Sequence, residues 1–97
     1  MSKVGVILSG CGVFDGSEIH EASATLIALS QQGIEYDCMA PDRDFEVIDH
    51  RTQQPTGEQR NVLTESARIS RGEIVSVSEV QGADYDAFFV PGGFGAA

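Results

Sequence analysis

Two glycine-rich segments carry the clearest chemical potential in this sequence, because each follows a short apolar run. Residues 10–16 read Gly-Cys-Gly-Val-Phe-Asp-Gly, and residues 91–95 read Pro-Gly-Gly-Phe-Gly. Apolar runs of this length are typical of strands buried on both faces, whose carboxyl ends carry active-site loops. Glycine lets backbone N–H groups approach a ligand closely, as an oxyanion hole requires. We predict that Gly92 and Gly93 donate to a reacting oxygen, and a plain tight turn is the alternative.

Two carboxylates, Glu18 and Glu21, follow the first glycine segment at the start of a predicted helix. Their spacing of three places them on similar sides of that helix. One of them could orient or protonate a group beyond the strand ends. The structural alternative is that both complement the helix dipole. Asp15 with Glu18 also has capping-box spacing, and Ser17 is another candidate N-cap.

The first glycine segment also approximates a dinucleotide-binding fingerprint, with Asp42 where a ribose-binding acid would be expected. However, Asp15 and Glu18 stand where a pyrophosphate would need to bind. Two carboxylates at the positive end of a helix dipole would repel a second anion. We therefore predict no nucleotide cofactor.

The cysteines and histidines show no metal-ligand spacing, so we predict no metal site. Cys11 lies near a helix N-terminus that would favour a thiolate, although packing beside the site is the simpler interpretation. Cys38 fits core packing on the second strand. His20 and His50 are interpreted as surface or locally hydrogen-bonded residues.

The elements that would position these groups alternate between strand and helix. This order predicts an α/β domain with a mostly parallel sheet, which needs helices on both faces. Two helices cannot cover such a sheet, so we expect an apolar face to remain exposed. The predicted elements are a strand at 4–8, a helix from about 17 to Gly33, a strand at 34–40, a hairpin with its first strand at 45–50 returning through 51–55, a helix at 61–71 ended by Gly72, an extended segment at 73–80 and a strand at 87–90.

Composition limits the classes of partner. The 97 residues hold 15 acidic and 6 basic side chains, for a net charge of −9, and are 41% hydrophobic. This charge would repel phosphate backbones and anionic lipid, so we predict no nucleic acid and no membrane partner. Two unpaired cysteines and a short N-terminal apolar run favour a reducing, cytoplasmic location without a signal peptide.

Three stretches of the sequence carry a resemblance to a known family. Residues 7–22, the middle segments 60–63, 67–69 and 71–74, and the glycine-rich residues 90–97 resemble the glyoxalase ElbB family. That family belongs to the ThiJ/PfpI branch of the class I glutamine amidotransferase-like superfamily. The resemblance covers the whole chain, and its first and last motifs are specific. It implies an incomplete flavodoxin-like three-layer sandwich, with residues 1–97 as the N-terminal portion of a single domain.

The resemblance also implies roles for individual residues. A glutamate on the first helix would hydrogen-bond a nucleophilic cysteine, and Glu21 is the preferred match, with Glu18 as the alternative. Gly92 and Gly93 match the oxyanion loop. The nucleophile itself would lie beyond residue 97, so we expect this chain alone to be inactive.

For the complete protein, the resemblance implies cofactor-independent conversion of glyoxal to glycolate. The expected partners are a small aldehyde substrate, the remainder of the domain (possibly a second chain) and a second copy in a homodimer. Two alternatives stay open. One is a non-enzymatic stress-linked protein that binds a partner or senses redox state, and the other is an enzyme of the glutamine amidohydrolase type.

Overall fold

The computed structural model describes residues 3–96, so Ala97, the last residue of the glycine-rich motif, lies outside the described part. Its regular elements follow the predicted order of strand, helix, strand, hairpin, helix and further strands. They are β1 (Lys3–Ile7), α1 (Ile19–Gln31), β2 (Glu35–Ala40), β3 (Asp44–Asp49), β4 (Gln54–Asn61), α2 (Val62–Ser70), β5 (Val75–Ser76) and β6 (Ala87–Phe89), with 3₁₀ turns at Val77–Glu79, Gly82–Asp84 and Phe94–Ala96.

Four of the strands form a parallel sheet in the order β5-β2-β1-β6. The chain builds outward from β1 through β2 to β5 and then returns to the other side of β1 with β6. Val6 and Leu8 in and after β1 are fully buried, and both α-helices contribute to the same core. The α/β class with a mostly parallel sheet is therefore confirmed. Strands β3 and β4 form a separate antiparallel hairpin.

Both helices begin at a side-chain cap. Glu18 is the N-cap of α1, where its carboxylate accepts from the Glu21 N–H at 2.8 Å. The predicted caps Asp15 and Ser17 were wrong, because tertiary contacts take both side chains. Asn61 caps α2 by accepting from Thr64 N–H at 2.9 Å.

The helices end where glycines predicted their ends. Gly33 adopts a left-handed φ of 69° directly after the last turn of α1. At the end of α2 the left-handed conformation begins one residue before the predicted stop, since Arg71 has φ 61° and Gly72 has φ 85°. A left-handed residue at this position ends a helix because its N–H turns back to an unpaired carbonyl.

Within residues 3–96, the sheet face opposite the two helices is covered by a few side chains, which include Tyr85 and Phe88. The Phe88 ring lies over Gly5, where an added Cβ would come within 2.6 Å of it. Tyr85 packs beside Phe88 with 5.3 Å between ring centroids, and its hydroxyl donates to Asp37 at 2.8 Å. Among the described residues no α-helix lies on this face, so the third layer of a sandwich is not contributed by them.

Two segments differ from the sequence-based prediction. The hairpin predicted to fold back through 51–55 has a full return strand at Gln54–Asn61, which the sequence pattern did not predict. Of the segment predicted as extended over 73–80, only Val75 and Ser76 form a strand. The chain then turns into a 3₁₀ helix because the Ser76 hydroxyl accepts from Ser78 N–H at 3.3 Å.

Strand β6 is the most exposed part of the sheet. Phe88, Phe89, Val90 and Phe94 keep between 42% and 68% of their surface accessible. Because β6 pairs with β1 on one side, its other edge presents unpaired backbone groups beside these apolar side chains. No helix within residues 3–96 is long and apolar enough to cross a membrane.

Candidate functional site

The two glycine-rich segments meet at the carboxyl ends of the sheet's strands. They follow β1 and β6, which are parallel neighbours, so both leave from the carboxyl ends of adjacent strands. The chain continues from β1 to one side of the sheet and reaches β6 on the other side. The position where successive connections leave toward opposite sides of a sheet is its topological switch point. In open α/β sheets the crevice there is the usual ligand site.

The first glycine segment is held by hydrogen bonds within the fold. The Ser9 N–H donates to the buried Ser17 hydroxyl at 2.9 Å, and the Gly10 N–H donates to the buried Ser66 hydroxyl at 2.8 Å. The Gly12 N–H donates to the Ser17 carbonyl at 2.8 Å. These amides are therefore engaged inside the protein and do not form a cradle for phosphate. Ser17, predicted as a cap, instead holds this loop in place by accepting hydrogen bonds from the Ser9 and Gly12 N–H groups.

The second glycine segment lies directly against the first. Gly93, with a left-handed φ of 134°, packs against the Gly16 carbonyl so closely that a Cβ would collide with it. This contact explains why the sequence requires glycine here. Three backbone hydrogen bonds join the two segments: Glu18 N–H to Gly92 O at 2.6 Å, Phe94 N–H to Val13 O at 2.8 Å and Gly95 N–H to Gly16 O at 3.1 Å.

The carboxylate of Glu21 lies over Gly92. A Cβ added at Gly92 would stand 2.6 Å from Glu21 Oε1 and 3.5 Å from Glu21 Cδ. The first helix and the loop after β6 thus bring together two of the residues that the sequence predicted for the site. An acid and a backbone segment rich in donors occupy the same edge of the crevice.

The Glu18 carboxylate has a different position. Its Oε2 caps α1, and its Oε1 lies 3.0 Å from Nδ1 of the exposed His20. The hydrogen bond from the Glu21 N–H, and after it the one with His20, lowers the pKa of Glu18 below its usual value. The backbone N–H of Glu18 donates to the Gly92 carbonyl, and its side chain caps the helix.

The backbone N–H groups of Gly92 and Gly93 are available in this arrangement. Within residues 3–96 neither of them donates a hydrogen bond to another group. Donors of this kind beside a carboxylate are suited to stabilising negative charge on a substrate oxygen.

Neither cysteine of the chain has the electrostatic surroundings of a nucleophile. Burial raises the pKa of the Cys11 thiol, and nearby Arg68 only partly opposes that effect. The expectation that a helix N-terminus favours a Cys11 thiolate was wrong, because burial, with Glu65 and Asp15 nearby, raises the pKa of this thiol. Cys38 is buried in the core as predicted, and burial raises its pKa to about 11.

Sequence reasoning missed one set of contacts at this site. Asp15, with its side chain only 8% exposed, accepts from the Ile48 N–H at 2.9 Å. His50 Nε2 accepts from the Phe14 N–H at 3.2 Å, and His50 Nδ1 lies 3.0 Å from the Ile48 carbonyl. The loop after β1 is therefore fastened to the β3–β4 hairpin. Among the described residues, no group of three or more histidine, cysteine and acidic side chains is placed to hold a metal ion.

Two cavities lie outside the Glu21–Gly92 contact. A small one of about 230 Å³ is lined by Cys11, Asp15 and His50, between the loop and the hairpin. A larger groove of about 520 Å³ runs between α1 and α2 and is lined by apolar residues that include Leu26, Ile27, Ile69 and Ile74. None of the predicted site residues lines the larger groove, so its size does not mark the candidate site.

Comparison with known proteins gives the chain relatives along nearly its whole length. It is 56% identical over 98 residues to the human protein named "Glutamine amidotransferase-like class 1 domain-containing protein 3, mitochondrial". It is 53% identical to the rat "ES1 protein homolog, mitochondrial" and 37% identical to the zebrafish (Danio rerio) "ES1 protein, mitochondrial". These alignments cover 97–99% of this chain and 37% of each relative, so the chain spans well under half the length of these relatives. No protein-family model matches the chain.

A solved structure has the same fold. An isoprenoid biosynthesis protein with an amidotransferase-like domain from Ehrlichia chaffeensis superimposes with a TM-score of 0.94 at 40% identity, over 98% of this chain and 46% of that one. The flavodoxin-like, amidotransferase-like fold is therefore established for this chain, and the fold is partial. The similarities support the class I glutamine amidotransferase-like superfamily, and they do not single out the ElbB family.

Proposed function

We propose that this chain forms the N-terminal portion of a thiol-dependent enzyme, within a single domain of the class I glutamine amidotransferase-like type, that converts glyoxal to glycolate. The observation that carries the proposal is the Glu21 carboxylate lying over Gly92, in a loop whose Gly92 and Gly93 N–H groups donate to no other group within residues 3–96. A carboxylate beside such donors fits a reaction in which a proton moves while a carbonyl oxygen becomes negatively charged. The resemblance to glyoxalases supplies the substrate class.

The proposed reaction begins with a cysteine thiolate from beyond residue 97. Its sulfur bonds to one aldehyde carbon of glyoxal, and the oxygen of that carbonyl takes a proton to give a hemithioacetal. A base then removes the proton from the sulfur-bearing carbon, and a proton returns to the neighbouring carbon. The product of this transfer is a thioester of glycolic acid. Water cleaves the C–S bond, releasing glycolate and regenerating the thiol.

In this scheme Glu21 carries protons and the Gly92 and Gly93 N–H groups stabilise the oxygen. No step needs a redox cofactor, because one carbon of glyoxal is oxidised while the other is reduced. The chain's own cysteines are not assigned as nucleophiles, since burial raises the pKa of both thiols.

We further propose that the remainder of the domain packs against β6. Its free edge and the exposed Phe88, Phe89 and Val90 are suited to a further parallel strand and the helices that would cover it. The relatives are long enough to supply such a segment, since this chain matches 37% of their length. A homodimer and a cytoplasmic location stay predictions, and the three relatives carry the word "mitochondrial" in their names.

The test uses the full-length protein that contains this sequence, with Glu21→Gln and Glu18→Gln as a matched pair. We expect Glu21→Gln to lower kcat for glyoxal by about 100-fold or more, the usual contribution of general acid–base catalysis. Glu18→Gln should change kcat only slightly, since a glutamine oxygen can still accept from the Glu21 N–H. If Glu21→Gln retains full activity while Glu18→Gln is inactive, the assignment of the acid is wrong.

Two further assays separate this function from its rivals. Release of ammonia from glutamine would favour an amidohydrolase, the activity suggested by the name of the human relative. A redox sensor would consume about one equivalent of peroxide per reactive thiol and turn over no aldehyde. Multiple turnovers of glyoxal per protein molecule are expected only for the proposed enzyme.

A further inference from the structure

The peptide group between Val13 and Phe14 joins the β3–β4 hairpin to the second glycine segment. Its N–H donates to His50 Nε2 at 3.2 Å, and its carbonyl accepts from the Phe94 N–H at 2.8 Å. In a trans peptide the N–H and C=O point in opposite directions. One rigid plane therefore has His50 on one side and the 92–95 loop on the other.

The contacts of His50 fix which ring nitrogen carries the proton. A backbone N–H can only donate, so Nε2 must be an unprotonated acceptor. The proton then lies on Nδ1, which is 3.0 Å from the Ile48 carbonyl and donates to it. The loop contacts one ring nitrogen and the hairpin contacts the other, and Asp15 Oδ1 lies 3.9 Å from Nε2.

The hairpin provides these partners because of its own sequence. Ile48 stands opposite Pro55 in the ladder, and a shift in register separates it from Glu46. Proline has no N–H, so the Ile48 carbonyl is not engaged by the residue it faces. That carbonyl accepts from His50, while the Ile48 N–H donates to Asp15. Bulges of this kind redirect backbone groups near active sites.

We propose that His50 is a positioning residue, which sets the orientation of the 13–14 peptide and through it the loop that carries Gly92 and Gly93. If this peptide flipped, its carbonyl would face the lone pair of Nε2 and its N–H would face the N–H of Phe94. Both hydrogen bonds would be lost together. The Phe14 ring adds to the connection, with centroids 5.0 Å from His50 and 5.9 Å from Phe94. This role rests on the proposed function only for its effect on turnover.

Three variants of the full-length protein test the inference. In His50→Gln the side-chain oxygen replaces the Nε2 acceptor, whereas in His50→Asn the shorter amide reaches only the Nδ1 position. Arg51→Ala, at the exposed turn of the same hairpin, is the control. Two readouts are measured: amide hydrogen exchange at Phe94 by NMR, and kcat and KM for glyoxal.

We expect exchange at Phe94 to quicken about fivefold or more in His50→Asn, the effect of losing one net hydrogen bond. His50→Gln and Arg51→Ala should exchange like the wild type. In His50→Asn kcat should fall more than KM rises. Equal exchange in the two His50 variants, or no change at Phe94 in His50→Asn, would overturn the inference.

Two results keep this test separate from that of the proposed function. Faster exchange in His50→Asn, in a protein whose wild type turns over no glyoxal, would support the positioning role and refute the activity. Should His50→Asn fail to fold, the ring ¹⁵N spectrum of wild-type His50 decides. A neutral ring protonated at Nδ1 supports the inference, and one protonated at Nε2 overturns it.

Discussion

Replacing Gly92 with alanine should separate catalysis from stability. The new methyl group would stand 2.6 Å from Glu21 Oε1, and an ordinary contact begins near 3.4 Å, so the carboxylate must retreat by about 0.8 Å. Glu21 is exposed and its far end is flexible, so the movement costs the fold little. The backbone of Gly92 is not in the left-handed region. Such an alanine can even stabilise by about 0.4–1 kcal/mol by restricting the unfolded chain.

The effect on turnover should be much larger than the effect on stability. A displacement near 1 Å of a positioned group can cost about 100-fold in rate. We expect Gly92→Ala to unfold in urea within about 1 kcal/mol of the wild type and to lose between about tenfold and 100-fold in kcat for glyoxal.

Gly93→Ala is the matched comparison one residue away. Its Cβ would meet backbone atoms of Gly16 and Glu18, which cannot move aside, at a left-handed φ of 134°. We expect it to destabilise by at least about 2 kcal/mol, from the strained φ and the clash together. Gly82→Ala, where a Cβ has open space, should change neither quantity. A Gly92→Ala variant that is as unstable as Gly93→Ala, or one that is stable and fully active, would contradict this prediction.

Three further predictions concern stability. Ser66→Ala removes the buried acceptor of the Gly10 N–H, so urea unfolding should show a loss of about 1–3 kcal/mol, and a loss below 0.5 kcal/mol would contradict this. Because folding lowers the pKa of Glu18 below 4.5, the stability it contributes is present above pH 4.5 and is lost as pH falls below that value. The melting temperatures of wild type and Glu18→Gln should therefore converge below pH 4, and a gap that widens there would be the wrong sign. Folding raises the pKa of Cys38 from 9 to about 11, so the melting temperature of wild type should fall between pH 9 and 11 more steeply than that of Cys38→Ala, and parallel curves would exclude this cause.

The sequence predicted those elements whose side chains face the core. The apolar run at 4–8 predicted β1, and the apolar stripe Ile19, Ala22, Leu26 and Leu29 predicted α1, because burial on one side imposes a regular period. Ile19 is the exception in this stripe, since it stays 44% exposed. Gly33 marked the end of α1 for the same local reason. Strand β4 was underpredicted because residues 54–60 are exposed, so a two-stranded hairpin left no apolar alternation there.

The site depended on contacts that no local pattern contains. Asp15 and Ser17 both suit an N-cap, but the N–H of Ile48, 33 residues away, donates to Asp15, and the Ser9 N–H donates to Ser17. Glu18, which no local pattern favoured as a cap, therefore caps α1. The first residue of α1 then sets the direction of Glu21, since each residue of shift turns a helical side chain by about 100°. Glycines at 10, 12 and 16 indicated close backbone packing. Pro55 was a usable sequence signal as well, because a proline in the return strand leaves the Ile48 carbonyl opposite it without a partner in the ladder.

The order of the strands has a consequence for the protein as it is made. Strand β1 pairs with β2, which follows it within about 30 residues, but its other edge waits for β6, whose pairing with Val4 begins at Ala87. At roughly 5–20 residues per second, synthesis leaves that edge without its partner for several seconds. During this interval the central strand of the nascent chain offers an apolar, unpaired edge to its neighbours. Once Phe89 has left the ribosome, the unpaired edge passes from β1 to β6, whose Phe88 and Phe89 side chains stay 42% and 46% exposed. Chaperone capture of nascent chains should therefore persist beyond that point.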